Sequence, residues 1–209
     1  MIKIETMETW GFEHAIRGMR NPMNSWDKSD SKFNRIDSPT GIWLGGNDKQ
    51  LMQKLYKAGT EHRKYLRQIF VSMDITAPLY WWKEFDTYKI GTVSNSCSTM
   101  HKIHAKEFEL DDFSHEHLNE DIIEKPFKDI IDCLNFFRGL YIQNKDKDDW
   151  WQMIQLLPSS YNQKRTITMT YENVMTIINQ RKGHKLDEWN DLIVRLLELP
   201  YVKEIRDED

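Results

Sequence analysis

Short polar side chains crowd around one glycine between positions 86 and 99, and these residues are the best suited in the chain to bind a ligand. The run comprises Thr87, Tyr88, Lys89, Gly91, Thr92, Ser94, Asn95, Ser96, Ser98 and Thr99. Hydroxyl and amide groups beside a glycine can bind a phosphate or a base edge, because they add donors to exposed backbone N–H groups. Lys89 can neutralise an anion. A turn that satisfies only its own backbone has the same composition, so both interpretations stay open.

Four histidines form a second candidate group. His101 and His104 have the spacing that brings two imidazoles to one face of a helix, and His115 and His117 have the spacing that does so on a strand. A zinc site is conceivable, but neither pair belongs to a specific metal signature. The acidic residues around them more simply make a solvated face, so we predict no metal.

The cysteines and the paired tryptophans are weaker candidates. Cys97 and Cys133 are too few for a disulfide framework. The sequence shows no base that would activate Cys97, so a small, half-buried side chain is expected there. The pairs at positions 81–82 and 150–151 could stack on a flat ring such as a base or an isoalloxazine. Neighbours on a helix diverge by about 100°, so one tryptophan of each pair should face such a site and the other the core.

The composition is that of a folded, slightly acidic protein. The chain has 209 residues, of which 39% are hydrophobic and 30% charged, with a formal net charge of -4. This size favours a single domain over residues 1–209, and the charge argues against broad binding to nucleic acid. No run of about 18 uncharged apolar residues could span a membrane, and the N-terminus has no apolar signal-peptide core. We therefore expect a cytoplasmic protein.

The spacing of apolar residues in the first part of the chain predicts a strand, two helices and a long loop. The first strand precedes a helix over residues 11–20, and a polar loop with two prolines and paired glycines is predicted over residues 21–46. Long loops in compact domains are often functional, and disorder is the alternative. The next helix is predicted to extend to residue 69, with Asn47 or Asp48 as its cap.

The rest of the chain is predicted to be mainly helical. Residues 70–75 alternate weakly, as a strand or a helix end, and Pro78 is expected in the first turn of a helix. Pro126 is expected to open another helix in the same way. Three further helices are expected at residues 148–157, 170–181 and 186–197. Gly183 marks the stop between the last two of them. The predicted fold class is α+β, a helix-rich single domain with a small sheet.

The order of these features resembles that of the flavin-dependent thymidylate synthase family. In that family a helix leads into an Arg-His-Arg triplet and then into a run that ends Asn-Glu-x-Ser-x-Arg-Tyr. Here the helix through Trp82 leads to Thr87-Tyr88-Lys89, and Asn95-Ser96-Cys97-Ser98-Thr99-Met100-His101 follows.

Further short elements agree in order with the family. Gln155-Leu156-Leu157-Pro158 resembles its Ala-Arg-x-x-Leu-Pro element, and the helix at residues 170–181 ends in Arg181, like the family's nucleotide-binding helix. Near the start, Ala15-Ile16-Arg17 resembles the early helix, and Thr60-Glu61-His62, placed in a helix, resembles the Glu-His element.

The resemblance implies a nucleotide site and a flavin site. Ser98 and Arg181 match family positions that contact the nucleotide. Ser96 stands where the motif has Glu, and Glu84 stands where a Gln precedes the triplet. These four are the candidate nucleotide-binding residues, whereas the candidate flavin contacts are Trp82, Tyr88, Lys89 and Asn95.

Several positions depart from the family pattern in ways that affect charge. The motif's Arg and Tyr are Met100 and His101 here, and the Arg of the Leu-Pro element is Ile154. A nucleoside monophosphate carries about two negative charges, and Met100 and Ile154 cannot make bidentate Arg contacts to it. Partial compensation could come from Lys89, Arg181 and Lys102. A ligand that carries less phosphate charge than a nucleoside monophosphate, or that binds in a shifted pose, fits these changes better than the usual substrate of thymidylate synthesis does.

Three hypotheses for the function follow. The first is a divergent enzyme that methylates or hydroxymethylates a pyrimidine nucleotide such as dUMP, for which the resemblance implies FAD, NADPH, methylenetetrahydrofolate and a homotetramer. The second is a catalytically inactive, phage-encoded protein that captures a nucleotide on the same fold. The third is a structural protein whose polar run is plain surface. The retained polar residues favour the first two hypotheses.

Overall fold

The computed structural model describes residues 2–34 and 41–207. The middle of the predicted long loop, including Pro39, lies outside these residues. None of the helices in the described part of the chain is long and apolar enough to cross a membrane.

The described residues contain a four-stranded sheet and a two-stranded sheet. The strands are β1 (Lys3–Trp10), β2 (Lys32–Phe33), β3 (Ile42–Trp43), β4 (Phe70–Pro78), β5 (Thr92–Ser96) and β6 (Asn162–Thr170). Four of them form one sheet in the order β1-β4-β6-β5. The other two pair antiparallel, with Lys32 opposite Trp43 and Phe33 opposite Ile42.

Helices account for most of the remaining chain, so the predicted α+β class is confirmed. They are α1 (Phe12–Arg20), α2 (Gly46–Lys57), α3 (Leu79–Phe85), α4 (Thr99–Lys102), α5 (Glu120–Ile122), α6 (Lys128–Asn144), α7 (Lys147–Leu156), α8 (Tyr171–Arg181), α9 (Asp187–Leu197) and α10 (Val202–Arg206).

Contacts within the chain group its residues into two compact units. The first unit comprises the chain start, Ile75–Thr87 and Asn95–Thr166, and the second comprises Ile4–Asp74, Tyr88–Ser94 and Ile167–Asp209. The single domain over residues 1–209 stays a prediction.

The core of the first unit is aromatic and aliphatic. One cluster of its buried residues comprises Ile103, Phe108, Phe113, Phe127, Ile131, Leu134 and Met153. Phe113 packs edge-on against Phe127 and Tyr161, with ring centroids 5.4 and 5.7 Å apart. Edge-to-face pairs of this kind stabilise a core beyond their buried area.

In the second unit, helices α8, α9 and α10 bury one face each. Phe12 lies edge-on to Tyr171 and Tyr201, with ring centroids 5.6 and 5.5 Å apart. Trp189 is fully buried on α9, on the apolar stripe predicted for that helix. Thr170 caps α8, because its side chain accepts a hydrogen bond from the backbone nitrogen of Asn173.

Three predicted helical features are wrong. The helix expected to reach residue 69 ends at Lys57, and a separate 3-10 helix follows at Lys64–Gln68. Thr60-Glu61-His62 therefore lies in the turn between them, after Gly59, whose φ of 102° ends a helix readily. Pro126 lies inside a π-helical turn, Ile123–Phe127, that leads into α6.

Strand β6 was not predicted at all. Its inward positions include Gln163, Ile167 and Met169, so only two apolar residues mark the buried side. Five polar residues open the strand, and their composition is typical of a loop. A buried glutamine thus concealed the period-2 pattern that identifies a strand.

A buried ion pair connects the end of α1 to α2 and fixes the first part of the long loop. Arg20 Nε lies 2.6 Å from Asp48 Oδ1, and the two side chains are 3% and 0% exposed. Asp48 Oδ2 accepts hydrogen bonds from the hydroxyl groups of Ser29 and Ser31 at 2.8 and 2.7 Å. It also accepts from the backbone nitrogens of Asp30 and Ser31 at 3.1 and 3.0 Å.

The N-terminus of α2 is capped by a loop residue, so the prediction of Asn47 or Asp48 as the cap is wrong. The Asp30 carboxylate accepts hydrogen bonds from the backbone nitrogens of Asn47 and Asp48 at 2.9 and 3.1 Å. Gly45 permits this approach, because a Cβ at that position would overlap the Asp30 carboxylate. A Cβ at Gly46 would lie 3.9 Å from Asp30 Oδ2, an ordinary contact.

Candidate functional site

The predicted polar run is not one loop but a turn, the exposed strand β5 and the start of α4. Its residues from Tyr88 to Ser94 belong to the second unit, whereas Thr87 and the residues from Asn95 onward belong to the first. The run therefore contributes to two separate groups of side chains.

In the first unit, Ser98 lines a cavity of about 220 Å³, which we call the Ser98 cavity. Its lining residues are Thr76, Cys97, Ser98, Thr99, Lys102, Ile103, Tyr161, Asn162, Gln163 and Lys164. Two hydroxyl side chains and two lysines thus share one small space. This combination suits a phosphate or another anion.

Hydrogen bonds to β6 hold the residues of the Ser98 cavity in place. The backbone nitrogen of Cys97 donates to the carbonyl oxygen of Lys164 at 2.9 Å, and Gln163 Nε2 donates to the carbonyl oxygen of Cys97 at 2.9 Å. The Ser98 hydroxyl accepts from the backbone nitrogen of His101 at 3.1 Å and so caps α4. Cys97 itself is exposed, which corrects the expected half-buried position.

Two further polar groups of the Ser98 cavity suit a ligand that offers hydrogen-bond donors or acceptors. Asn162 Oδ1 is buried and has no hydrogen-bond partner among the described residues. Burial, and after it the negative charge of Asp112, raises the pKa of Tyr161, so the phenol keeps its proton and can donate. An unpartnered buried acceptor costs about 1–3 kcal/mol, which a donor on a ligand would offset.

Trp82, a candidate flavin contact, lies in the core of the first unit. Trp81 and Trp82 are 0% and 1% exposed, so the expectation that one of them faces a site is wrong for this pair. Trp82 Nε1 donates to the carbonyl oxygen of Gln163 at 2.9 Å. The guanidinium of Arg165 lies 4.3 Å from the centre of the Trp82 ring and also donates to Asp86 Oδ1 at 2.8 Å.

The remaining candidates of the first unit lie at or near its surface. Asn95 and Ser96 are exposed on β5, and Glu84 is half-buried on α3. None of these three lines the Ser98 cavity. Their roles as ligand contacts stay predictions.

In the second unit the structure brings Tyr88 and Arg181 together, 93 positions apart in the chain. Arg181 Nε donates to the Tyr88 hydroxyl at 2.9 Å, and that hydroxyl donates to Gln180 Oε1 at 3.1 Å. The Arg181 guanidinium lies 4.4 Å from the centre of the Trp189 ring and 3.1 Å from His184 Nε2. A fixed, half-buried cation results, with Lys89 exposed beside Tyr88 in the sequence.

The turn before β5 is fixed to the start of α8 in the same unit. Asn173 Nδ2 donates to the carbonyl oxygen of Ile90 and to Thr92 Oγ1, both at 2.7 Å. Gly91 has a φ of 74°, and a Cβ there would lie 3.3 Å from the Thr170 side chain. The left-handed backbone conformation therefore favours glycine at this position, and a side chain would also be tight against Thr170.

The four histidines do not converge. His104 packs edge-on against Tyr141, and His115 Nδ1 lies 2.8 Å from the carbonyl oxygen of Phe113. Among residues 2–34 and 41–207, no three His, Cys, Asp or Glu side chains are grouped as metal ligands.

Among the residues of these two groups that sequence reasoning missed are Asn162, Lys164 and His184. Asn162 and Lys164 belong to the unpredicted strand β6, and their roles depend on its pairing. His184 follows the predicted stop at Gly183, where a histidine beside Arg181 could have been noticed.

Two solved structures are similar to the chain over almost its whole length. Thymidylate synthase X from Helicobacter pylori with FAD and dUMP has a TM-score of 0.70 at 18% sequence identity, covering 99% of this chain and 97% of that chain. A second structure of the flavin-dependent thymidylate synthase of that organism, complexed with FAD and dUMP, has a TM-score of 0.67 at 18% identity, covering 98% and 96%. No family model and no curated protein matches the chain. At this identity the likeness establishes the architecture: the chain has the fold of flavin-dependent thymidylate synthases.

Proposed function

We propose that the protein binds a pyrimidine nucleotide and holds its phosphate in the Ser98 cavity. The observation that carries the proposal is that Ser98, Thr99, Lys102 and Lys164 line one space. Lys164 comes from β6 and Lys102 from the end of α4. Two lysines match the charge of about two negative units on a nucleoside monophosphate, and they replace the cationic positions that Met100 and Ile154 have lost.

The size of the Ser98 cavity limits what it can hold. Its volume of about 220 Å³ lies below the range of about 300–1,000 Å³ that is usual for small-molecule pockets. The cavity therefore fits a phosphate and part of a sugar, and the base would lie outside it. Ser96 and Glu84, which belong to the same unit, remain candidate contacts for the rest of the nucleotide.

We propose further that the protein is a homo-oligomer, a tetramer by resemblance. Ile90 precedes the exposed strand β5 and is 92% exposed, and Val93 lies within β5 and is 63% exposed. Apolar side chains on an exposed strand favour association. Light scattering on the purified protein measures this state.

The nucleotide proposal predicts a phosphate-dependent thermal shift. With dUMP at about 100 times its Kd, the stabilisation is about 2.7 kcal/mol, which for a chain of this length raises the Tm by about 5–10 °C. Deoxyuridine, which lacks the phosphate, should give less than half of that shift. The measurement is a fluorescence melting curve against nucleotide concentration.

Lysine variants assign the shift to the Ser98 cavity. Lys102→Ala and Lys164→Ala should each weaken dUMP binding about tenfold or more, the value of one charged hydrogen bond. Lys128→Ala is the control, because Lys128 is also an exposed lysine of the first unit but does not line the cavity. Equal dUMP affinity in all three variants would exclude the cavity as the phosphate site.

A second candidate function is the enzyme itself, and the specific observation in its favour is the extent of the structural likeness to two proteins solved with FAD and dUMP. The candidate flavin contacts fit that cofactor only in part. Lys89 and Asn95 are exposed and can meet a ligand, whereas the Trp82 ring is buried and the Tyr88 hydroxyl is bonded to Arg181 and Gln180. When bound, FAD would supply hydride transfer, with NADPH as reductant and methylenetetrahydrofolate as one-carbon donor.

A flavin titration separates the two candidates. If the protein is an enzyme of this type, the purified chain should show flavin absorbance that NADPH bleaches. A catalytically inactive nucleotide-binding protein should leave the absorbance and fluorescence of added FAD unchanged while still responding to dUMP in the melting curve. A response to neither ligand would refute both proposals.

A further inference from the structure

A second, larger cavity lies between α1 and the loop that follows it, in the second unit. Its volume is about 440 Å³, and it is lined by Glu13, Ile16, Arg17, Arg20, Asn21, Trp26, Ser29 and Phe33. We call it the Arg20 cavity. Its volume lies within the range of about 300–1,000 Å³ for ligand pockets, and it shares no residue with the Ser98 cavity.

The guanidinium of Arg20 is the buried polar group of this cavity. Its Nε donates to Asp48 Oδ1 at 2.6 Å and its Nη1 donates to the carbonyl oxygen of Ser25 at 3.1 Å. The third nitrogen, Nη2, is buried without a hydrogen-bond partner in the described part of the chain. The whole side chain is 3% exposed. Nη2 therefore offers donors for which the described residues supply no acceptor and which an acceptor oxygen on a ligand would satisfy.

The charges around the Arg20 cavity nearly cancel. Asp48 already neutralises Arg20 through the buried ion pair. Arg17 and Glu13, both exposed at the cavity, carry opposite charges. A multiply charged anion such as a phosphate dianion would therefore gain little here, and one acceptor oxygen is what the buried nitrogen requires.

The remaining walls of the cavity suit a flat ring. Trp26 is 51% exposed, and its Nε1 donates to Asn21 Oδ1 at 2.8 Å, which fixes the orientation of the indole. Phe33 is half-buried and Ile16 is 2% exposed. Two aromatic side chains and one aliphatic side chain around a single buried donor are typical of a site for a planar ligand.

We propose that the Arg20 cavity binds a planar aromatic compound that carries an acceptor oxygen, either a carbonyl or a carboxylate. The oxygen accepts a hydrogen bond from Arg20 Nη2, and the ring packs against Trp26 and Phe33. The loop after α1 then has a function, because it supplies the aromatic walls of the cavity. Asp48 fixes this loop through hydrogen bonds from Ser29 and Ser31.

Three fluorinated probes test this site by ¹⁹F NMR line broadening on the purified chain. 4-Fluorobenzamide offers a carbonyl, 4-fluorobenzoate a carboxylate, and fluorobenzene no acceptor oxygen. Ligands of this size bind at about millimolar concentration. We expect saturable line broadening of 4-fluorobenzamide, of 4-fluorobenzoate or of both. Fluorobenzene should bind with an affinity at least about fivefold lower, because it lacks the one hydrogen bond. Tighter binding of the amide identifies an uncharged natural ligand, and tighter binding of the benzoate an anionic one.

Wall variants assign the binding without disturbing the ion pair. Trp26→Ala should lower the affinity of the chain for the probe with the acceptor oxygen about tenfold, because the ring contact is lost. Trp43→Ala is the matched control, because Trp43 is 54% exposed in the same unit and does not line the cavity. The proposal is overturned if no probe binds at about 20 mM, if fluorobenzene binds as well as both other probes, or if Trp26→Ala binds like the unmodified chain. Such a failure leaves the nucleotide proposal untouched.

Discussion

Asp48→Ala is expected to lower the free energy of unfolding by about 3–5 kcal/mol, the usual cost of removing one partner of a buried ion pair. The variant leaves the Arg20 guanidinium buried and unpaired. It also removes the acceptor for the hydroxyl groups of Ser29 and Ser31. Urea denaturation followed by tryptophan fluorescence gives the difference directly.

Asp27→Ala is the matched control for this measurement. Asp27 is an exposed carboxylate in the same loop, and a surface change of this kind stays within about 0.5 kcal/mol. A loss below about 1 kcal/mol for Asp48→Ala would show that the loop and α2 do not depend on the buried pair.

The Asp48 carboxylate makes part of the folding stability depend on pH. Burial alone raises the pKa of Asp48, but hydrogen bonds from Ser31, Ser29 and Arg20 outweigh it and hold the pKa below its ordinary value. Because the folded pKa lies below the unfolded value of about 3.9, the contribution is complete above about pH 4 and is lost as the pH falls through the folded pKa. The difference in unfolding free energy between the unmodified chain and Asp48→Asn should therefore shrink on acidification below about pH 4, and a constant difference would contradict this account.

Trp82→Ala is expected to cost about 3–5 kcal/mol of stability, the range for a deleted buried aromatic side chain. Trp82→Phe retains most of the apolar volume but leaves the carbonyl oxygen of Gln163 without its donor, so a cost of about 1–3 kcal/mol is expected. Trp151→Ala, at a position 38% exposed, should cost clearly less than Trp82→Ala, because less apolar area is lost from the interior.

The Trp82 variants also test the predicted flavin contact. A core residue should leave any FAD affinity unchanged in Trp82→Phe, although it lowers stability. A drop in FAD affinity larger than about tenfold in Trp82→Phe, with stability retained, would instead favour ring stacking on the flavin.

The helical part of the fold was predictable where local signals agree. Thr170 is a good capping residue and apolar side chains follow it at helical spacing, so α8 was expected within one residue of its observed start. α9 was predicted equally well. By contrast, α2 has a cap supplied by Asp30, 15 positions before Gly45 in the sequence. A cap from a distant loop leaves no signal at the helix start.

The candidate site was predictable only as a region. The polar run pointed to Ser98, and the structure places that residue in a cavity. Lys164 and Asn162 were missed because they meet Ser98 through strand pairing, which hydrophobic periodicity does not reveal when a glutamine occupies the inward position. Tyr88 and Arg181 were named by family resemblance, and no local pattern indicated that their side chains touch.

The strand-to-helix junction at Thr170 has a geometric consequence for Arg181. Thr170 ends β6 and caps α8 without an intervening loop, so the position of Arg181 around the helix axis depends on a fixed count of residues. Each residue turns an α-helix by about 100° and advances it by about 1.5 Å. One inserted residue between Thr170 and Arg181 would therefore swing the guanidinium away from Tyr88 and Trp189. The contacts of Arg181 therefore require a fixed number of residues between Thr170 and Arg181.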